Sequence, residues 1–294
     1  MLESKFRYRI LSLDGGGSKG VYMLGVLTEL EAELGSPLSS HFDLVYGTST
    51  GAIIAAMVAL GLSVETIKNR YFKLIPRVMK HRRSEARSSE LRACAVEIFG
   101  AKTFEAFTMD LGIVSTNANS EIPLIFKRSS QQAMGRAATF APGFGCTIVD
   151  ALLASTAAYP LFEKHSLNTG HHGPLTLLDG GYVANSPTLF AIADALQSGA
   201  TRAAIDVLSV GVGRYLEPRK AFYWRMLFKV PAIQLIQTQL ATSTNTIEIL
   251  RKIFFKDIAC VRVDEAYTDA KYATDLLESS IGKLETMFAL GRAS

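Results

Sequence analysis

One stretch constrains the chain more than any other: Phe42-Asp43-Leu44-Val45-Tyr46, then Gly47-Thr48-Ser49-Thr50-Gly51, then the apolar run Ala52 to Leu60. A short apolar segment bounded by small residues predicts a buried strand, and the segment after the turn predicts an apolar helix. The turn between them has the form G-x-S-x-G. A serine at the centre of so sharp a strand-to-helix turn is held in a strained conformation with its hydroxyl thrust outward. Gly47 and Gly51 flank it because a Cβ at either place would meet neighbouring backbone. The N–H groups at the start of the helix favour negative charge near Ser49. The same pentapeptide also fits a glycine-rich turn with a capping serine, so it does not decide the matter alone.

A second strand–loop–helix unit precedes it. Tyr8 to Leu13 reads as a strand, Val21 to Glu31 has apolar residues at helical spacing, and Asp14-Gly15-Gly16-Gly17-Ser18-Lys19-Gly20 joins them. The loop matches G-x-G-x-x-G, which raises a nucleotide-binding module as an alternative. That fingerprint expects an acidic residue at the end of the next strand, about 20 residues on. Here Asp43 precedes the next apolar run, which ends in Gly47-Thr48-Ser49. A phosphate-binding Walker loop fails too, because Gly20 is followed by Val21. What remains is a loop of N–H donors at a helix N-terminus, suited to stabilising an anion. Successive parallel strands end on one sheet edge. A nucleophile beside N–H donors is what acyl transfer requires.

Ser49 needs a base. The histidines are His41, His81, His165, His171 and His172. The apolar run Leu175-Thr176-Leu177-Leu178 ends in Asp179-Gly180-Gly181, which places an aspartate at the same edge if the strand is parallel to the others. An Asx-turn would leave the same trace. No histidine follows Asp179, which excludes the order Ser…Asp…His with Asp179 as the acid. His171-His172 lies in a Gly/Pro loop and stays open as a base. The simpler reading is a Ser49–Asp179 dyad, whose chemical tension is the weak basicity of an ordinary aspartate.

Composition bounds the rest. The chain has 294 residues, 48% hydrophobic and 20% charged, with net charge +4. That suits one large α/β domain, and neither a linker nor an internal repeat divides it. The mild positive excess fits an anionic surface or ligand without being the footprint of a nucleic-acid polymer. Cys94, Cys146 and Cys260 are scattered, which predicts free thiols and neither disulfides nor a metal centre. The N-terminal residues lack a signal-peptide core, and the longest apolar run, Ala52 to Leu62, falls far short of the roughly 20 residues that span a bilayer. A cytoplasmic protein with peripheral membrane contact is the expectation.

Three further regions carry expectations. Ser63 to Arg92 is helical and strongly basic with a mobile loop at Lys80 to Ser89, and reads as a solvated face or as a site for an anionic ligand at Arg82, Arg83 and Arg87. Leu111–Thr116 and Ile122–Phe126 predict a strand pair, Thr147–Ala158 a helix, Ala203–Gly213 and Ile258–Val263 strands, and Ala273–Ala289 a closing helix. Ala221 to Val230 mixes the single tryptophan with aromatics and cations, as membrane-surface segments and ordinary amphipathic helices both do.

The set Asp14-Gly15-Gly16-Gly17-Ser18-Lys19-Gly20, Gly47-Thr48-Ser49-Thr50-Gly51 and Asp179-Gly180-Gly181, in that order, resembles the patatin-like phospholipase family. The similarity runs from about Tyr8 to Phe190 and includes the small-residue segment Ala154 to Phe162. It implies a three-layer α/β/α fold with a mainly parallel central sheet. It also implies a Ser49–Asp179 dyad that hydrolyses lipid acyl esters without a metal or cofactor, and an oxyanion hole at Gly15, Gly16 and Gly17. Lys19 departs from the arginine many members carry, and lysine cannot make a forked contact. Compact bacterial chains of this kind resemble membrane-degrading effectors of anti-phage signalling that a cyclic nucleotide switches on. The resemblance therefore implies membrane phospholipid as substrate, a cyclic dinucleotide as activator and action at the inner membrane. It leaves open a homo-oligomer and, as alternative, a constitutive lipid or lysophospholipid esterase.

Overall fold

The computed structural model describes residues 7–133, 140–169, 173–216 and 231–294. The chain begins by alternating strand and helix: β1 (Tyr8–Leu13), α1 (Gly20–Leu34), β2 (Leu44–Thr48) and α2 (Thr50–Ala59). Two helices follow, α3 (Val64–Met79) and α4 (Ser84–Phe99), then the hairpin β3 (Asp110–Asn117) and β4 (Ile122–Lys127). Helix α5 (Ile148–Ser155) leads to the strands β5 (His165–Thr169) and β6 (Gly173–Asp179). After one turn of helix, α6 (Gly181–Ala184), come α7 (Thr188–Gln197), β7 (Ile205–Val210) and the short β8 (Arg214–Tyr215). The described chain closes with α8 (Pro231–Phe254), β9 (Ala259–Val263), β10 (Ala266–Tyr267) and α9 (Ile281–Ala293).

Eight strands form the central sheet in the order β5-β6-β3-β2-β1-β7-β9, with β4 also on β3. The run from β3 to β9 is parallel, while β4, β5 and β6 pair antiparallel. The central strands β1, β2 and β3 are buried along most of their length on both faces, which is why they read as near-continuous apolar runs. Alternate residues feed opposite cores. Leu11, Leu13, Val45 and Ile113 face the core built largely with α1 to α5 and α9. Ile10, Leu44, Tyr46 and Val114 face a smaller core with α7 and part of α8, through Ile192 and Ile247. The result is the three-layer α/β/α architecture that the resemblance implied.

Three expectations change. Strand β6 is antiparallel to β3, not parallel, because it belongs to a hairpin with β5 and enters the sheet from beyond the carboxyl edge. The closing helix starts at Ile281 rather than Ala273, since residues 273–280 are irregular with one turn at 276–277. The basic stretch is two well-packed helices, and the loop is reduced to residues 80–83. Some of its charges are matched: Lys68 Nζ lies 2.7 Å from Glu65, and Arg77 bridges from α3 to Glu90 and Glu97 of α4 at 2.8 and 2.7 Å. The aromatic-cationic segment Ala221–Val230 lies outside the described residues. Among those described, no helix is long and apolar enough to cross a membrane.

Candidate active site

The register of β3 explains how two residues 130 positions apart in sequence meet. Strand β4 occupies one edge of β3 along Gly112–Asn117. On the opposite edge, β2 pairs with Asp110–Val114 and β6 with Ser115–Asn117. The two strands therefore run toward each other and abut, with Thr48 beside Val114 and Asp179 beside Ser115. Ser49 is the next residue after β2, and Asp179 is the last of β6. Direction did not matter; the register alone brings both to the carboxyl edge.

Ser49 sits at φ 52° and ψ −121°, in a region side-chain-bearing residues avoid. Holding it there costs of the order of 1–3 kcal/mol, which the surrounding packing must over-determine. That packing is tight: a Cβ on Gly47 would lie 2.4 Å from the Gly51 carbonyl oxygen, and one on Gly51 would lie 2.3 Å from that of Leu13. The elbow also has a clamp. The Ser49 N–H donates to Ser155 Oγ at 2.9 Å, and Ser155 Oγ donates to the Val114 carbonyl at 2.6 Å. The same end of α5 holds the aspartate, because the Asp179 N–H donates to Ala157 O and the Gly180 N–H to Ser155 O. One helix end thus registers both side chains.

The Ser49 hydroxyl donates to Asp179 Oδ2 at 2.6 Å, and the Gly181 N–H donates to Oδ1 at 2.7 Å. No cation pairs with this carboxylate among the described residues. Burial pushes its pKa up to about 6, with the hydrogen bonds from Ser49 and Gly181 pulling the other way. The raised value eases the tension noted from sequence, since a base with a pKa near 6 accepts a proton more readily than one near 4.

The glycine loop lies beside this pair. Gly15 departs from the expectation that it donates to an oxyanion: its N–H is already given to the Asn185 carbonyl at 3.0 Å. The Gly16 and Gly17 N–H groups have no acceptor among the described residues, and both residues line the cleft that holds Ser49 and Asp179. The loop is anchored on several sides. The Gly17 carbonyl accepts from Thr50 Oγ1 at 2.8 Å and Tyr71 OH at 2.9 Å, and the Ser18 N–H and hydroxyl both donate to Leu276 O. Asp14 at the loop's start is buried and forked onto Arg262 of β9 at 2.9 and 2.6 Å. Burial raises the Asp14 pKa to about 6, and the Arg262 guanidinium opposes this. Lys19 ends the loop's 3-10 turn, and Gly20 opens α1 against Thr50 and Tyr71.

The cleft is apolar beyond the dyad. Ile53, Leu74, Val78, Leu161, Ile236 and Leu276 are among its walls, and it encloses ≈ 700 Å³ of empty space including its mouth. No histidine lines it among the described residues. His41 Nε2 is 2.6 Å from Ser36 Oγ, His81 lies 3.9 Å from Glu90 and His165 lies 3.5 Å from Asp150. His171 and His172 lie outside the described residues. Of the arginines considered for an anionic ligand, Arg87 is buried and its guanidinium is spent on the carbonyls of His81, Leu161 and Arg82. Arg82 and Arg83 are exposed on the short α3–α4 link. Tyr71, Asn185 and Arg262 lie outside every motif of the sequence, whereas Ser155 had a local hint, in the small-residue run at the end of a predicted helix.

Comparison with known proteins bears on the whole of this arrangement. A profile of the patatin-like phospholipase family matches residues 11–192, which contain the glycine loop, the elbow and Asp179. The chain is 49% identical over 287 residues to a "cUMP-AMP-activated phospholipase" of Escherichia coli, covering 97% of this chain and 90% of the relative. It is 29% identical over 207 residues to a "cGAMP-activated phospholipase" of E. coli strain TW11681, covering 64% of this chain and 56% of that one. A "cGAMP-activated phospholipase" of Vibrio cholerae is 27% identical over 224 residues, covering 67% and 60%. Among solved structures, VipD from Legionella pneumophila shares the fold at a TM-score of 0.50 and 13% identity, covering 98% of this chain and 66% of that one. With a profile spanning more than half its length and a relative at 49% identity along nearly all of it, the chain belongs to the patatin-like phospholipase family.

Proposed function

We propose that this chain is a serine lipid acyl hydrolase that cleaves carboxylic esters of membrane phospholipids and is switched on by a cyclic dinucleotide. The observation that carries the chemistry is the 2.6 Å hydrogen bond from Ser49 Oγ to Asp179 Oδ2 at the head of an apolar cleft. In the first half-reaction Asp179 takes the Ser49 proton while Oγ attacks the ester carbonyl. The Gly16 and Gly17 N–H groups receive the charge that develops on the carbonyl oxygen. The tetrahedral intermediate collapses, and the protonated Asp179 returns its proton to the departing lysophospholipid alcohol. Water then attacks the Ser49 ester by the same route and releases a free fatty acid. The apolar walls suit an acyl chain, whose burial adds about 0.8 kcal/mol per methylene. Regulation rests on the relatives: the 49% identical one is named for activation by cUMP-AMP, and more distant ones for activation by cGAMP.

The test is hydrolysis of phosphatidylethanolamine and phosphatidylglycerol vesicles with and without cUMP-AMP or cGAMP, for the wild type and Ser49→Ala. Fatty acid should be released by the wild type when an activator is present and should be undetectable for Ser49→Ala. Turnover retained in that variant would sink the dyad. High activity indifferent to both nucleotides would leave a constitutive esterase.

A further inference from the structure

The glycine loop is tied to a polar row that crosses the sheet. Ser12 of β1, Ser209 of β7 and Arg262 of β9 stand side by side in register, so their side chains leave the sheet on one face. Adjacent strands lie about 4.7–4.9 Å apart, so Arg262 starts roughly 10 Å from β1. Its side chain crosses Ser209 and ends on Asp14, the first residue of the loop. Nη1 donates to Asp14 Oδ1 at 2.9 Å, and Nη2 donates to Asp14 Oδ2 at 2.6 Å. Nη1 also donates to Ser209 Oγ at 2.7 Å, and Nη2 to Asp264 Oδ2 at 3.1 Å. Ser209 in turn meets Thr188 Oγ1, which also meets Ser12 and Ser186, and these four side chains are fully buried.

A buried ion pair is a poor device for stability alone. Both groups lose their hydration, and well-packed apolar residues of like volume often stabilise as well or better. Asp14 shows the cost: burial raises its pKa to about 6 even with the guanidinium on it. What the forked pair supplies is position. A guanidinium that grips both carboxylate oxygens fixes distance and plane together, which a lysine ammonium cannot do.

Position matters at Asp14 because the reacting parts of the site are built on its backbone. Its N–H donates to Val210 O at 3.1 Å. A Cβ on Gly51 would come within 2.6 Å of its carbonyl oxygen, so the loop and the elbow helix meet at this residue. Gly16 and Gly17 follow one residue further on and line the cleft with Ser49.

We propose that Arg262 is a positioning residue for acyl transfer: through its fork on Asp14 it sets the height of the glycine loop, so that the Gly16 and Gly17 N–H groups meet the oxyanion formed on Ser49. The assignment rests on the acyl-hydrolase reading given above. Arg262 is not among the described walls of the catalytic cleft, so it acts on the chemistry through Asp14. It also lies beyond residues 11–192, the part of the chain that the family profile matches.

The experiment uses the full chain with Arg262→Lys and with the pair Asp14→Asn and Arg262→Met. The first keeps the charge and loses the fork. The second replaces the ion pair by a neutral amide and an apolar side chain of similar length, so no carboxylate is stranded at position 14. Asp264 keeps the Gly213 N–H and Arg214 as partners in both. The readouts are the thermal midpoint, kcat and KM on a p-nitrophenyl ester with cUMP-AMP present, and inhibition by an alkyl trifluoromethyl ketone. Ser49 Oγ adds to the ketone carbon, its proton passes to Asp179, and the carbonyl oxygen becomes an oxyanion that only a well-placed loop can hold. Both variants should fold and lower kcat by about 10–100-fold with KM changed by less than about two-fold. Ketone affinity should fall by the same factor, the signature of an interaction made only in the transition state. If only one variant folds, it decides. Folded variants with wild-type kcat and ketone affinity overturn the proposal. So does a raised KM at unchanged kcat, which would assign the pair to substrate binding. Failure of both variants to fold makes the pair a structural one and overturns it as well. A wild type that neither turns over the ester nor is labelled at Ser49 by a fluorophosphonate overturns the acyl-hydrolase reading itself, an outcome distinct from the others.

Discussion

Two aspartates are buried in this protein in opposite electrostatic circumstances. Asp194, on α7, is fully buried and meets Lys127 Nζ at 2.5 Å, with Tyr46 OH and Gln132 Nε2 donating to its other oxygen at 2.5 and 3.0 Å. Asp179 is 3% exposed and accepts from one hydroxyl and one N–H, with no counter-ion among the described residues. The first is tied to a lysine by a buried ion pair. The second has nothing to lose by accepting a proton except a hydroxyl partner, and in the proposed mechanism that hydroxyl is the group that gives the proton up. A buried acid becomes a base when the fold withholds the cation that would neutralise it.

The largest expected effect is on the uncompensated member. Asp179→Asn should lower turnover by about 10⁴-fold, the scale on which a mispaired catalytic carboxylate acts. It should also remove a pH dependence. In the wild type, fluorophosphonate labelling of Ser49 should rise with pH up to about 6 and then level, following ionisation of Asp179. The variant should label slowly at every pH. Stability should move the other way. Because the folded pKa lies above the ordinary 3.8, the native state holds this proton more tightly. That contribution is full below about pH 4 and is lost as pH rises through about 6. The thermal midpoint of Asp179→Asn relative to wild type should therefore improve between pH 5 and pH 8. A variant that is destabilised most at pH 8 would contradict this account of Asp179.

Asp194→Asn should do the reverse. It leaves Lys127 buried and unpaired, which costs about 3–5 kcal/mol. Urea denaturation should show that loss, while the folded fraction keeps turnover within a few-fold of wild type. Loss of turnover in a variant that is fully folded would erase the distinction between the two acids. A smaller effect is expected at the clamp. Ser155→Ala deprives the Ser49 N–H of its acceptor, at a cost of about 1–3 kcal/mol. Misplacing the nucleophile by a fraction of an ångström should lower kcat by up to about 10²-fold. An unchanged kcat, measured alongside the thermal midpoint, would mean that the strained turn holds itself.

The strand–turn–helix units around Gly15–Gly17 and Ser49 were legible because local apolar patterning and glycine spacing encode them directly. So was Asp179 as a partner for Ser49, since an apolar run ends in it before two glycines, and the structure hydrogen-bonds the two side chains. The direction of β6 was not, because an apolar run of four residues reads the same in either orientation, and its pairing with β3 is set by the hairpin with β5. The anionic-ligand reading of Arg87 failed for a related reason: composition counts cations but cannot show that a guanidinium is enclosed by three carbonyls. Asn185, Leu276 and Arg262 were hidden because each reaches the glycine loop from a distant part of the chain, through carbonyls or a side chain outside any motif.

The head-on meeting of β2 and β6 along β3 has a consequence for the cell that makes this protein. Neither strand end can hydrolyse anything by itself, and they come together only after the hairpin delivering Asp179 has docked beside an elbow made far earlier in translation. A nascent or partly unfolded chain carries a serine without a base. In the proposed mechanism an enzyme assembled in this way gains its esterase chemistry only once both ends of the fold are in place.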